Sequence, residues 1–365
     1  MKNLIVTLLS DQTIQNVQFI KHIQEKLKKG NREFEHLFIS TESMEKKGVG
    51  KWISKVCAIN RSQTIVVEHN SLSDIQEKLK NTVDYETYFV NVTGGTKIMS
   101  LGISDFFKEK VNARIYYIDG NKCWLNFPIN ERYSNNLADN INLTEYIESY
   151  GFEMRESSLS GIGFEYTKLF LQEFLKFGDA EWRIIKQLRE KRNKKNITIS
   201  EIIGLQDFLC NIGFPLSDKQ FLIVSKNEIE YLTGDWFEEY IYFRLKEEKI
   251  ISGENLKTGV HLVKNGIDNE FDVIFLHHTK FYAVECKTSI LSEKGNIINE
   301  TIYKSTALQK NLGLFSNFSI FTLSSQDSKD VKQIHMNRAE DLNIQFFCRE
   351  DIINCENISK LLRLC

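Results

Sequence analysis

The sequence predicts an α/β protein of two domains joined by a helical connector, and three observations support this fold class. At 365 residues, the chain is longer than one ordinary hydrophobic core accommodates. Its first part alternates short apolar runs with amphipathic stretches. Its last part has the order helix, three strands, helix, strand. We therefore expect domains over residues 1–145 and 231–365, with a connector over residues 146–230.

The composition is that of a globular protein from a reducing compartment. The net charge of −2 means that any contact with nucleic acid must come from local basic patches. The seven cysteines form no CxxC pair, which disfavours a disulfide framework and a zinc site. No run of about 18 apolar residues occurs, so we expect no membrane span. The first apolar run is too short for a signal peptide, and we expect a cytoplasmic protein.

The first domain is predicted as a Rossmann-like sandwich. Its apolar runs predict five strands: LIVTLL (4–9), EHLFIS (35–40), TIVVEH (64–69), YFVNV (88–92) and ARIYYID (113–119). Helical patterns lie between them, at 14–29, 71–81 and 97–110. Apolar strands that alternate with helices are typical of a parallel sheet covered on both faces. The polar segment 127–142 predicts a loop that leaves this domain.

A glycine pair between the fourth strand and the next helix predicts a ligand-binding loop. In YFVNVTGGTKIMSLG (88–102), Gly94 and Gly95 let the backbone approach a ligand closely. Thr93, Thr96 and Lys97 would then cradle a phosphate or ribose together with the N–H groups that start the helix. Neither GxxxxGK[ST] nor GxGxxG is present, which disfavours ATP hydrolysis and a dinucleotide cofactor. The end of the first strand brings further polar residues to the same sheet edge: Ser10, Gln12, Thr13 and Asn16.

The connector predicts a small helical or winged-helix module with one strongly basic stretch, EWRIIKQLREKRNKKN (181–196). We name its cations the basic cluster: Arg183, Lys186, Arg189, Lys191, Arg192, Lys194 and Lys195. Such a cluster is usually a solvated helix end, but it could also hold the phosphate backbone of a nucleic acid.

Charged residues on two core strands of the last domain predict a metal site. The strands are FDVIF (271–275) and YAVECKTS (282–289), and period-two alternation puts Glu285 and Lys287 on one face. An unpaired buried charge costs several kcal/mol, so Asp272, Glu285 and Lys287 require an explanation. Carboxylates of Asp272 and Glu285 with the Cys286 carbonyl would suit Mg²⁺ or Mn²⁺, with Lys287 beside the metal to act on water or phosphate. The alternative is a structural salt bridge between Asp272 and Lys287.

The order Glu238, Asp272, Glu285-x-Lys287 resembles the PD-(D/E)xK nucleases, whose core has the same helix–three-strand–helix–strand order. G-x-x-F-E-x-x-I at 234–241 is similar to the first-helix motif of these nucleases, which favours Glu238 over Glu239. Phe271 stands where that family often has proline. The resemblance implies a restriction-endonuclease-like domain with Glu238, Asp272, Glu285 and Lys287 as catalytic residues. Lys304 and Gln309 on the following helix are candidates for facing the substrate.

N-x-T-G-G-T-K at 91–97 resembles the ligand loop of CARF domains, which sense cyclic oligoadenylates in type III CRISPR defence. The segment from Ser10 to Thr13 matches that family's other ligand-contacting segment. A CARF domain followed by a PD-(D/E)xK domain is similar to the cyclic-oligoadenylate-activated CRISPR ancillary nucleases. The resemblance implies a homodimer, cyclic tetra-adenylate as activator, and nicking or degradation of DNA, often with RNA cleavage.

Three alternative functions are also considered for a chain of this kind. A HEPN ribonuclease needs R-x4–6-H; His335 has no such arginine, and the pair Arg32 and His36 lies in the sensor half. A ligand-controlled, non-enzymatic regulator would bind DNA through the connector and would not need Asp272, Glu285 and Lys287. The third alternative is that the sensor domain slowly cleaves its own ligand, and the sequence does not decide whether it does.

Overall fold

The computed structural model describes residues 2–80, 84–119, 122–125, 131–133, 137, 141–156, 158–218, 220, 222–288, 291–292, 295–313, 316–326 and 333–364. Within these ranges, no helix is both long enough and apolar enough to cross a membrane. The chain builds two large sheets, and a mainly helical connector lies between them in sequence.

The first sheet contains the predicted strands and two more. The strands are β1 (Asn3–Leu8), β2 (Phe34–Ser40), β3 (Gln63–Val66), β4 (Thr87–Asn91), β5 (Ala113–Asp119), β6 (Lys122–Leu125) and β7 (Glu131–Tyr133). They pair in the order β3-β2-β1-β4-β5-β6-β7; the first five are parallel, and β6 and β7 are antiparallel. The helices are α1 (Ile14–Lys29), α2 (Glu42–Lys47), α3 (Val49–Val56), α4 (Leu72–Leu79) and α5 (Lys97–Lys108). The predicted Rossmann-like sandwich is confirmed.

Both faces of the first sheet are covered, as its unbroken apolar strands require. On β1, Ile5 packs into a cluster with residues of α1 and α3, whereas Leu4 and Val6 pack into a second cluster with residues of α4 and α5. The loop prediction for 127–142 is wrong at residues 131–133, since a three-residue strand gives no readable periodicity. Most of the rest of that segment lies outside the described residues.

The second sheet begins with a strand from the connector region. Its strands are β8 (Glu153–Glu156), β11 (Leu256–Lys264), β12 (Ile267–His277), β13 (Lys280–Lys287), β16 (Ser316–Thr322) and β17 (Ile344–Phe347). The order is β17-β16-β13-β12-β11-β8, antiparallel from β8 to β13 and parallel from β13 to β17. A short hairpin joins β14 (Leu291–Ser292) to β15 (Gly295–Asn296). The helices are α11 (Trp236–Glu247), α12 (Ile297–Gln309), α13 (Gln333–Asp341), α14 (Arg349–Asn354) and α15 (Ile358–Leu361).

The connector is helical with a two-stranded wing. It contains α7 (Phe164–Phe174), α8 (Asp179–Glu190), α9 (Leu205–Asn211) and α10 (Lys226–Glu230). Its strands β9 (Asn196–Thr198) and β10 (Ile223–Ser225) are antiparallel. Helix α6 (Leu143–Ser149) precedes it and follows the first domain.

Side chains on the two faces of β13 belong to two different hydrophobic clusters, which join the second sheet to the first domain and to the connector. Phe281 and Ala283 belong to a cluster that also contains Ile5, Ile14 and Tyr146 of the first part of the chain. Tyr282, Val284 and Cys286 belong to a cluster that also contains connector residues such as Phe170 and Leu188. The second sheet therefore packs toward the first domain on one face and toward the connector on the other.

Candidate functional site

Asp272, Glu285 and Lys287 meet at the adjoining ends of β12 and β13. The antiparallel register pairs Val273 with Val284, which brings Asp272 beside the following residues of β13. Lys287 Nζ lies 2.8 Å from Glu285 Oε1 and 3.3 Å from Asp272 Oδ2. The backbone N–H of Cys286 donates to Asp272 Oδ2 at 2.6 Å. The hairpin thus places two carboxylates and one ammonium group together.

Burial and charge make this cluster strongly coupled. Burial and the charge of Glu285 raise the pKa of Asp272 to about 7. Burial lowers the pKa of Lys287, but the charges of Asp272 and Glu285 outweigh it, so that this pKa is raised overall. Lys287 therefore holds its proton in this arrangement, and the like charges of the carboxylates would be relieved by a further cation.

Glu238 faces this cluster from α11, and Glu239 does not. Burial and the charges of Asp272 and Asp235 raise the pKa of Glu238, and Lys287 acts in the opposite direction. Glu239 instead accepts hydrogen bonds from the N–H of Ser160 at 2.6 Å and from its hydroxyl at 2.9 Å. Only the first of the two neighbouring glutamates is therefore placed to act with Asp272.

The two candidates on α12 have different surroundings. Lys304 Nζ lies 3.9 Å from Glu285 Oε1 and donates to the carbonyl of Glu270 at 3.1 Å. Gln309 donates to the carbonyl of Ser316 at 3.0 Å, a contact within the fold. The structure brings Lys304 to the carboxylates but not Gln309.

A salt bridge between Asp272 and Lys287 is present, but it does not account for the whole arrangement. Lys287 is shared between two carboxylates, and Glu238 adds a third. A structural ion pair needs one acid and one base, whereas a divalent cation needs several oxygens. The arrangement therefore has more carboxylates than a bridge requires.

The donor set suits a hard divalent cation. Asp272 and Glu285 supply carboxylate oxygens, and the Cys286 carbonyl would complete the set. Over the described parts of the chain, no group of three or more His, Cys, Asp or Glu side chains is arranged to hold a metal. The predicted set therefore consists of the carboxylates of Asp272 and Glu285 and the backbone carbonyl of Cys286, and Glu238 lies outside it.

A groove of about 340 Å³ adjoins this site and contains residues that sequence patterns missed. Thr258 and Glu270 are the residues that were missed, and they line the groove together with Glu238 and Arg192, which the sequence had indicated. The hydroxyl of Thr258 donates to the carbonyl of Asp272 at 2.8 Å. The alternation of side chains along β12 could have indicated Glu270, because this residue lies two positions before Asp272 and therefore on the same face of the strand.

The glycine pair of the first domain packs against the end of β1. A Cβ atom at Gly94 would lie 2.4 Å from the carbonyl oxygen of Leu8, and one at Gly95 would lie 2.9 Å from that residue's side chain. Gly95 also has φ +73°, a conformation that side chains rarely adopt. The loop therefore needs glycine at both positions to lie this close to the strand.

Several of the predicted ligand residues hold the shape of this loop. Asn16 donates to the carbonyl of Leu8 at 2.9 Å and accepts from Asn91 at 2.9 Å. Thr93 donates to Asn91 Oδ1 at 2.6 Å and accepts from the N–H of Ile118 at 2.8 Å. Thr13 is fully buried, and its hydroxyl lies 3.0 Å from that of Ser149.

The remaining predicted residues reach the surface of the first domain. Thr96 caps α5 by accepting from the N–H of Met99, and donates to the carbonyl of His69. Gly95, Thr96 and Lys97 are exposed, and Ser10 and Gln12 are half-buried. A cavity of about 850 Å³ lies beside them, lined by His69, by the lysines Lys46, Lys47 and Lys78 and by the acids Glu42 and Glu68, none of which the sequence motifs include.

Comparison with protein families finds a match for each end of the chain. The family model of the Card1 CARF domain matches residues 4–146. The family model of the Card1-like endonuclease domain matches residues 225–362. Curated proteins give no significant match in sequence.

Solved structures show the same fold over nearly the whole chain. Can2 from Sulfobacillus thermosulfidooxidans, solved in complex with cyclic tetra-adenylate, is 22% identical with a TM-score of 0.71. That similarity covers 99% of this chain and 98% of the other. Protein VC1899 from Vibrio cholerae is 16% identical with a TM-score of 0.72, over 99% of this chain and 96% of its own. At these identities, the similarity establishes the fold.

Proposed function

Because the chain belongs to the CARF-domain nucleases, with a Card1 CARF domain before a Card1-like endonuclease domain, we propose that cyclic tetra-adenylate activates it to cut nucleic acid with a divalent metal. The activity would serve type III CRISPR defence, with DNA nicked or degraded and RNA as a further substrate. The convergence of Asp272, Glu285 and Lys287 with Glu238 is the observation that carries this proposal.

The first domain supports the choice of ligand. Its exposed loop offers the N–H groups that start α5, together with Thr96 and Lys97, to a phosphate. In the cavity beside it, Lys47 and Lys78 are paired with Asp11 and Asp74. Lys46, for which the described residues supply no ion-pair partner, is therefore the lysine of this cavity that would meet a phosphate. A structural neighbour, Can2, was solved with cyclic tetra-adenylate. We propose that two copies of the chain enclose one ring across a two-fold axis.

In the second domain, Asp272, Glu285 and the Cys286 carbonyl would hold Mg²⁺ or Mn²⁺. Such a cation lowers the pKa of water and stabilises negative charge on phosphate. Lys287 keeps its proton between two carboxylates, so it would neutralise a phosphate oxygen and orient water rather than remove a proton. With one such site in each copy of the chain, the expected product from duplex DNA is a nick.

Helix α6 offers a direct route for control. Its Ser149 contacts Thr13, which lies beside the ligand loop, at 3.0 Å. On the same helix, the hydroxyl of Tyr146 donates to the carbonyl of Leu312 in the second domain at 2.7 Å. We propose that ring binding shifts the segment from Ser10 to Asn16 and that α6 carries the shift to the nuclease sheet, because a ligand acts only through different affinities for two arrangements.

To test this proposal, the purified protein is incubated with Mn²⁺ and with supercoiled plasmid or end-labelled single-stranded DNA or RNA, and cutting of each substrate is measured. Each reaction runs with and without cyclic tetra-adenylate, beside the Glu285→Gln variant. Cutting that needs both the ring and Glu285 would support the proposal. Cutting without the ring would remove the sensor role. Ring-dependent binding of DNA without cutting would favour the regulator instead.

A further inference from the structure

Arg189 differs from its neighbours in the basic cluster. Lys191 and Lys194 each lie 3.0 Å from Glu201 Oε2, and Arg192 pairs with Asp235. Among the residues that the structure describes, no carboxylate lies within ion-pair distance of Arg189. Its charge is therefore not neutralised by the acids that neutralise those neighbours.

The guanidinium of Arg189 lies at the rim of the nuclease site. Its Nη2 donates to Thr288 Oγ1 at 3.3 Å, and its Nε donates to the carbonyl of Thr233 at 3.4 Å. Thr288 directly follows Lys287 on the chain, and Thr233 lies just before the helix that carries Glu238. Arg189 thus contacts both segments that hold the catalytic candidates.

Cations from three elements therefore lie in or beside the site. Lys287 of β13 and Lys304 of α12 lie 2.8 and 3.9 Å from Glu285 Oε1, and Arg189 of the connector helix α8 contacts Thr288, the residue after Lys287. Arg192 lines the groove that Glu238 and Glu270 also line. Arg189 is exposed and has no acid partner among the described residues, so its guanidinium is suited to bind a phosphate through the N–H groups that Thr233 and Thr288 leave unused.

We propose that Arg189 binds a phosphate of the substrate strand next to the scissile one, so that the connector forms part of the substrate-binding surface. The ligand is a phosphodiester backbone, whether of DNA or of RNA. This inference rests on the proposed nuclease function and extends it to a residue outside the endonuclease domain.

The test measures binding without cutting. Fluorescein-labelled 20-nucleotide single strands of DNA and RNA are titrated in EDTA with cyclic tetra-adenylate present, at several salt concentrations. We expect Arg189→Gln to weaken binding of both strands about tenfold, the loss of one charge-assisted hydrogen-bonded contact. The slope of log affinity against log salt should fall by about 0.7, the value for one phosphate contact with a single strand.

Three variants separate phosphate binding from a structural role. Lys176→Gln removes the same charge from a connector residue outside the basic cluster, which pairs with Glu173 at 2.8 Å, so it should leave affinity and salt slope unchanged. Thr288→Val removes the hydrogen-bond partner of Arg189 and keeps the charge, so it should keep the salt slope. Arg189→Lys should retain most of the slope, because the positive charge remains.

The outcomes are distinct. Arg189→Gln with wild-type affinity and slope would overturn the inference and leave the nuclease proposal intact. Equal losses in Thr288→Val and Arg189→Gln would also overturn it, since they would show that Arg189 only fastens the connector. A wild-type protein that neither binds nor cuts either strand would overturn the proposed function and this inference with it.

Discussion

At the scale of single residues, Glu238 and Glu239 share a sequence environment but not a structural one. Glu238 lies near Asp272, whereas Glu239 accepts two hydrogen bonds from Ser160. We expect Glu238→Gln to slow cutting about a hundredfold, at the lower end of the range for loss of a catalytic acid–base group. Glu239→Gln should leave the rate constant nearly unchanged and lower the free energy of unfolding by about 1–2 kcal/mol.

Single-turnover cutting and urea unfolding of both variants check this pair. Each variant serves as the control for the other, because the chemical change is the same. The interpretation fails if Glu239→Gln stops cutting at full stability while Glu238→Gln cuts at the wild-type rate.

His36 on β2 makes the stability of the first domain depend on pH. Burial and the charge of Lys28 lower its pKa to about 4, and Lys2, Glu35 and Arg61 line the cavity beside it. Its folded pKa lies below the unfolded value, so its stabilising contribution is complete above about pH 6.5 and is lost as pH falls toward 4. Between pH 7.5 and 5 we expect it to account for a loss of about 2 kcal/mol.

Urea unfolding of the wild type and of His36→Gln at those two pH values measures this contribution. The wild type should lose about 2 kcal/mol more than the variant, which has no titrating group at that position. Equal losses in both proteins would show that His36 does not titrate as its burial implies.

At the scale of elements, the loop between β4 and α5 depends on its close approach to β1. Gly94→Ala places a Cβ atom against the Leu8 carbonyl and must displace the loop, because backbone cannot move aside as a flexible side chain can. We expect ring affinity, measured by calorimetry, to fall at least about tenfold, or about 1.4 kcal/mol.

Gly163→Ala is the matched control, since no atom lies within 4 Å of a Cβ atom built there. It should bind the ring as the wild type does. Unchanged affinity in Gly94→Ala would mean that this loop does not contact the ligand.

Elements with strong local periodicity were predictable from sequence. Helix α1 at Ile14–Lys29 and strand β5 at Ala113–Asp119 have the predicted bounds, because each has a long, regular apolar pattern. Helices α2 and α3 escaped prediction because they span only six and eight residues. Strand β8 is mostly exposed and pairs with β11 far along the chain, a contact that no local pattern reports.

The same distinction holds for the candidate site. Asp272, Glu285 and Lys287 could be placed together because consecutive strands form a hairpin. Arg189 reaches Thr288 across 99 positions, so no spacing rule predicts the contact. The burial of Thr13 against Ser149 likewise depends on how α6 packs on the first domain.

At the scale of the whole molecule, α6 should couple the two domains. Ser149→Ala removes the side-chain contact with Thr13 but no exposed ligand residue. We expect ring affinity to stay within about threefold of wild type, a change under about 1 kcal/mol. The maximal ring-activated rate of cutting should fall, and calorimetry and cleavage assays measure the two quantities separately. If Ser149→Ala reached the wild-type rate of ring-activated cutting, the contact between Ser149 and Thr13 would not be the route by which ring binding reaches the second domain.

The central claim is that ligand binding in the first domain controls hydrolysis in the second. The most direct test is the rate of cutting as a function of cyclic tetra-adenylate concentration, compared with ring binding to the uncleaving Glu285→Gln variant by calorimetry. We predict a saturable rise in rate whose midpoint matches the dissociation constant, with one ring bound for every two chains. Equal rates with and without the ring, in a protein that binds it, would contradict the claim.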